Sequence, residues 1–174
     1  ILLSAVGAFA VNPHLYKLNY DSIRDLTPII LVTTSSGVLA VHPSVPVKNV
    51  KELVALAKSR PGELNYGSSG VGGFGHVSAA LFTMMTGTKM VHVPYKSSGP
   101  ALTDLMAGHI QLLFNNAIST VPQIKAGKVR ALAVTSIKRT AAVPELPTID
   151  EAGVKGYDHP SWLGIAAPAG TPKD

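Results

Sequence analysis

Cysteine is absent from the 174 residues. That excludes disulfides, zinc–thiolate sites, iron–sulfur clusters and thiol catalysis, and it leaves the redox compartment open. Charge is also scarce: Asp, Glu, Lys and Arg make up 14% of the chain, against about a quarter in an ordinary domain. With 46% apolar residues, the chain is neither a disordered segment nor a coiled coil. The 15 basic and 10 acidic residues give a net charge of +5, but they lie in ones and twos. The densest basic pair is Lys138-Arg139, and no stripe of Lys or Arg interleaved with aromatics exists. This excludes a nucleic-acid partner and leaves a mild attraction for anions.

Membrane-spanning runs are missing too. The apolar opening, Ile1 to Val11, is too short for a bilayer. It lacks the basic residues and cleavage site of a signal peptide, and reads as a buried strand cut from a longer protein. The charge-free stretch Leu64 to Thr88 holds six glycines together with Asn65 and His76, unlike a membrane helix.

What is present is punctuation. The 16 glycines and 13 prolines separate short apolar runs. Strands are predicted at 28–33, 38–41, 64–66, 90–93, 110–114 and 129–135. Helices are predicted from Val50 to Arg60, where Asn49 and Glu52 form a capping box, and at Phe74–Met85, Pro100–Ala107 and Val121–Ala126. Thr148 with Glu151 predicts a last short helix. Strands alternating with helices predict an α/β fold, a mostly parallel sheet with helices on both faces. The segments before 43 and after 158 do not fit this alternation, whereas 43–158 is complete in itself.

The stretch Gly67-Ser68-Ser69-Gly70-Val71-Gly72-Gly73-Phe74-Gly75-His76 lies between a predicted strand and a helix. Gly70, Gly72 and Gly75 fit G-x-G-x-x-G, the dinucleotide fingerprint. That fingerprint also needs an acidic residue about 20 positions on, and none occurs between Glu63 and Asp104. The Lys-Ser/Thr pair of a phosphate loop and the G-x-S-x-G of a hydrolase are also missing. Two readings stay open. Converging amides, a helix N-terminus and the Ser68 and Ser69 hydroxyls make an anion site, or the loop is only a tight strand-to-helix turn. The 40 positions from Leu64 to Thr103 carry no carboxylate and only Lys89 and Lys96 as charges, so an anionic ligand meets no local repulsion.

Catalytic and metal-binding patterns are lacking. Histidines 14, 42, 76, 92, 109 and 159 have no metal-ligand spacing, and no nucleophile stands beside a base. His92 reads as an ordinary strand histidine, while His76 sits beside the Gly loop. The chemistry of the residues therefore predicts no enzyme, no metal and no cofactor; a nucleotide-dependent enzyme using the Gly loop is the alternative.

Several strings together carry a resemblance: Asn12-Pro13-His14-Leu15-Tyr16, Tyr20-Asp21-Ser22-Ile23-Arg24-Asp25-Leu26-Thr27-Pro28, Leu64-Asn65-Tyr66-Gly67-Ser68-Ser69-Gly70, Val91-His92-Val93-Pro94-Tyr95-Lys96, Pro147-Thr148-Ile149-Asp150-Glu151-Ala152-Gly153 and Trp162-Leu163-Gly164-Ile165-Ala166-Ala167-Pro168. In order and spacing the chain resembles the Bug-type receptors of tripartite tricarboxylate transporters, which are periplasmic solute-binding proteins. The resemblance implies a two-lobed fold of periplasmic-binding-protein type II, closing on a small carboxylate for delivery to membrane transporter subunits. It implies that 1–42 is a remnant of the first lobe, 43–158 the second lobe and 159–174 the return segment. Ligand contacts are expected from Ser68, Ser69, Gly70, Gly72, Gly73, Phe74 and His76, and from Ser4 and Ala8 in the first-lobe turn. The family's Phe-Asp-Asn stands here as Phe114-Asn115-Asn116, and a neutral Asn115 at the site repels a carboxylate less. As a fragment, such a chain is expected to bind its acid poorly and to self-associate through uncovered strand edges.

Overall fold

Five successive residues, Gly37–Val41, are buried and form strand β3. An apolar run without alternation is what a strand covered on both faces requires. The chain is described by a computed structural model over residues 1–5 and 7–172; the Ala8 side chain lies outside that description.

β3 sits inside a five-stranded sheet with β4 (Asn65–Ser68), β5 (Val91–Pro94), β6 (Leu112–Asn116) and β7 (Arg130–Val134), in the order β5-β4-β6-β3-β7. β4 pairs in parallel with β5 and β6, and β3 runs antiparallel to β6 and β7. Four strands therefore point one way and β3 the other. The sheet is mostly parallel, as the alternation predicts.

Helices cover both faces. Leu39 and Val41 point into a core with Tyr66, Leu112 and Phe114, closed by α2 (Val50–Ser59) and α3 (Phe74–Thr86) through Leu53, Ala57, Ala79 and Phe82. On the other face Ala40 and Leu113 meet α4 (Ser98–Ala107) through Ala101, Leu102 and Leu105. Val38 meets Ala117 at the start of α5 (Ala117–Lys125). The capping box on α2 forms as predicted: Glu52 N–H donates to Asn49 Oδ1 at 2.9 Å. Gly87 and Gly108 end α3 and α4 in the left-handed conformation, at φ 62° and 80°.

A second sheet is antiparallel throughout, with β1 (Leu2–Ala5) and β2 (Leu26–Ser35) flanking β8 (Ser161–Pro168). The chain divides into two compact units, 36–160 and 1–35 with 161–174, whereas the pattern of the sequence puts the changes at 42/43 and 158/159. Strand β3 is the centre of the larger sheet, and the segment from Pro43 to Pro46 is a turn leading to α2 rather than a linker, with Val45 and Val47 buried in the core.

The opening is not one buried strand. β1 ends at Ala5, a wide-turn helical stretch follows at Gly7–Val11, and α1 spans Asn12–Leu15 with a proline in its first turn. β1 is an edge strand paired with β8, and Leu2 and Leu3, on its opposite faces, are both exposed. The last helix is a turn. Thr148 and Glu151 do exchange capping bonds, both 3.0 Å, but Gly153 at φ 112° stops propagation at once.

Candidate functional site

The strand directions gather one set of termini at one edge of the larger sheet. β4, β6 and β7 end there at Ser68, Asn116 and Val134, and the opposed β3 begins there at Gly37. In open α/β sheets the carboxyl ends of the strands are where ligands bind. Ser36, the loop 68–73, Asn115, Thr135 and Ser136 all belong to this edge. Hydrogen bonds join the two outlying serines, with Ser136 Oγ 2.7 Å from Ser36 Oγ.

The Gly loop turns from β4 into α3 using two residues at positive φ, Gly70 at 114° and Gly72 at 78°. A Cβ on Gly75 would lie 2.6 Å from the Phe114 carbonyl oxygen, so the start of α3 rests directly on β6. The N-terminus of α3 has no side-chain cap and no acid in its first turn. Val77 N–H reaches back to the Gly73 carbonyl, so the amides of residues 74–76 are the unpaired first turn of the helix. Ser69, beside them, is exposed, and its hydroxyl has no hydrogen-bond partner among the described residues. An uncapped helix start with a free hydroxyl can accept an anion by direct hydrogen bonding.

Ser68 plays a different part from Ser69. It is 1% exposed. Its Oγ accepts Gly70 N–H at 3.1 Å, lies 3.0 Å from the Gly70 carbonyl and is 2.6 Å from His92 Nε2. The hydroxyl is occupied in shaping the loop. His76 also ties the loop, its Nδ1 accepting Gly72 N–H at 3.2 Å.

His92 is the satisfied strand histidine that the sequence leads one to expect, and its partner places it at the base of this loop. The parallel register pairs it with Tyr66, and the two rings stack at 5.0 Å. His76 approaches from α3 with ring centroids 4.4 Å apart. Burial pushes both histidines below their ordinary pKa, and His76 depresses His92 further. Both rings are hydrogen-bonded to the loop, His92 to Ser68 and His76 to Gly72. Only the β4–β5 pairing reveals this cluster, and no local pattern around residue 92 signals it.

The edge also holds Asn115, 4% exposed, whose Nδ2 donates to Ser119 Oγ at 3.1 Å. Phe74 is half-buried at the head of α3. The residues 68–76 and Asn115 thus lie on neighbouring strand ends of one unit. Ser4 is a half-buried β1 residue opposite Gly164 in the other unit. Ala8 belongs to that unit also, and its side chain lies outside the described residues. Among the described residues no three His, Asp or Glu gather closely enough for a metal ion.

A family model described as "Tripartite tricarboxylate transporter family receptor" matches residues 1–174. Among solved structures, the R. palustris Rpa4515 protein with adipate superposes with a TM-score of 0.89 at 42% identity, covering 98% of this chain and 57% of that one. The periplasmic binding protein BugD gives 0.87 at 35% identity, covering 98% and 57%. MatC from Rhodopseudomonas palustris with bound malate gives 0.87 at 30%, covering 98% and 58%. The chain spans about half the length of the curated relatives it matches.

Proposed function

From the fact that this chain belongs to the tripartite tricarboxylate transporter receptor family, we propose that it captures a small organic acid in the periplasm, unchanged, for delivery to membrane transporter subunits. One observation carries the reading. The uncapped first turn of α3 and the free hydroxyl of exposed Ser69 stand together at the carboxyl edge of the sheet, within a 40-residue stretch free of carboxylates. A carboxylate there takes amides 74–76 and Ser69 as donors, while Ser68, His76 and His92 hold the loop in shape. Neighbours described with adipate and with malate support the ligand class, and BugD supports the periplasmic setting. In this reading the unit 36–160 is the lobe that holds the acid, with 1–35 and 161–174 belonging to the other lobe.

The dinucleotide reading lacks its ribose partner, since no acid lies between Glu63 and Asp104. Calorimetry with adipate and malate tests the proposal. Ser69→Ala weakens binding by about 1–3 kcal/mol, the usual cost when a charged group loses a donor. Binding of either acid that is indifferent to Ser69 argues against the site, and conversion of the acid to any product, followed by mass spectrometry, argues against simple capture.

A further inference from the structure

The chain passes between its compact units twice, at Ser35–Ser36 and at Pro160–Ser161. Gly37 and His159 stand beside those passages, and both are fastened to the same two residues. Thr135 Oγ1 accepts Gly37 N–H at 2.9 Å, and Thr135 N–H donates back to the Gly37 carbonyl at 3.0 Å. The Thr135 carbonyl accepts His159 N–H at 2.9 Å. Phe74, the first residue of α3, stacks on the His159 imidazole with centroids 5.1 Å apart. It also fills the space over Gly37, where a Cβ would lie 2.5 Å from Phe74 Cζ. One turn along α3, Ser78 Oγ is 2.9 Å from His159 Nδ1, and the Ser78 carbonyl accepts the Tyr157 hydroxyl at 3.0 Å.

We propose that Phe74 and His159 are positioning residues for the anion site. Their stacked rings, with the Ser78 bond, fix the first turn of α3 over Gly37, so that anion binding at that turn and the packing of the ring pair are coupled. This rests on the carboxylate reading above and adds the device that orients its donors. The physical basis is that a planar pair wedged against a glycine has little freedom to shift without moving the backbone it caps. Packed interiors transmit such shifts instead of absorbing them. Coupling of this kind is reciprocal, since whatever disturbs the pair weakens the anion by as much as the anion steadies the pair.

Protonation is one such disturbance. Burial favours neutral His159, opposed by the neighbouring Asp158, whose carboxylate accepts Ile137 N–H at 2.8 Å. α3 faces the imidazole with Phe74 and Ser78, neither of them charged, and β7 leads to it through Thr135. A protonated Nδ1 can only donate to the Ser78 hydroxyl, which removes the alternative in which Ser78 donates.

Calorimetry with adipate, run beside urea unfolding at pH 7.5 and 5.5, tests the proposal. Phe74→Leu and His159→Ala each raise the dissociation constant about tenfold, and the double variant loses little more than either alone. His159→Gln, which keeps an acceptor for Ser78, recovers most of the affinity. It also loses less affinity than the parent between pH 7.5 and 5.5, which separates His159 from the other histidines. Parent-like affinity in both Phe74→Leu and His159→Ala, additive losses, or affinities that merely follow the urea midpoints overturn the positioning role while leaving carboxylate capture standing. A parent protein that binds none of a panel of mono-, di- and tricarboxylates, adipate and malate included, even at millimolar concentration overturns the capture reading and this inference together.

Discussion

Gly75 and Phe114 approach so closely that a Cβ on the glycine would meet the Phe114 carbonyl oxygen at 2.6 Å. The oxygen is main chain in the middle of the sheet and cannot turn aside. Gly75→Ala therefore pushes α3 off β6 and costs about 1–3 kcal/mol, the range for overpacking a core. Urea denaturation reads the loss directly. Because α3 carries the candidate donors, adipate affinity falls with it. An alanine variant of unchanged stability would show that α3 is free to ride higher on the sheet.

Ser68 and Ser69 are neighbours with opposite expected behaviour. Ser68→Ala leaves Gly70 N–H and His92 Nε2 without their buried partner, at a cost of about 1–3 kcal/mol in stability. Ser69→Ala leaves stability within about 0.5 kcal/mol of the parent, as surface changes do, and loses affinity instead. Parallel unfolding and binding curves separate the two. Equal stability losses in both variants would contradict the assignment.

Stability should fall on mild acidification. His76, His92 and His159 are all held below the ordinary value of 6.5, with burial as the largest cause. The unfolded chain therefore takes up their protons at higher pH than the folded one, and the folded state loses ground. This contribution is fully present above about pH 6.5, diminishes as pH falls through it toward the lower folded values, and levels off below them. His92→Phe keeps a ring against Tyr66, lowers stability overall through the lost Ser68 contact, and flattens the slope between pH 7 and 5. Urea midpoints across that range decide it, and an unchanged slope would exclude His92 as a contributor.

At the far end of the unit, Asn49 accepts Glu52 N–H while Glu52 Oε2 accepts Lys48 N–H at 2.7 Å. Asn49→Ala removes the cap of α2 and costs about 1 kcal/mol. The loss appears in thermal melts and leaves acid binding untouched, since α2 is absent from the strand-end cluster. A change in affinity would mean that the whole unit loosens together.

Much of the fold is written locally. Asn49 with Glu52, Gly87 and Gly108 mark helix ends by their own chemistry, and the Gly loop announces a strand-to-helix turn. What the sequence hides is long-range pairing. β3 runs against its neighbours because it is paired with β6 and β7, and nothing in Val38-Leu39-Ala40-Val41 states a direction. Thr148 and Glu151 give a true capping signal without a helix behind it, because Gly153 ends the turn before propagation. At the site the same division holds. Ser69, Gly70, Gly72 and Gly73 are legible as a loop, whereas His92 beneath Ser68, Thr135 on Gly37 and His159 on Phe74 lie 24 to 98 positions from their partners. Only the folded register brings them together.

The central claim is that an organic acid meets the first-turn amides of α3. Backbone amide NMR of the chain during titration with adipate measures this residue by residue. The account predicts saturable shifts concentrated at Ser69 and at Phe74, Gly75 and His76, reduced in Ser69→Ala. Shifts that saturate elsewhere while those four amides stay still would contradict it.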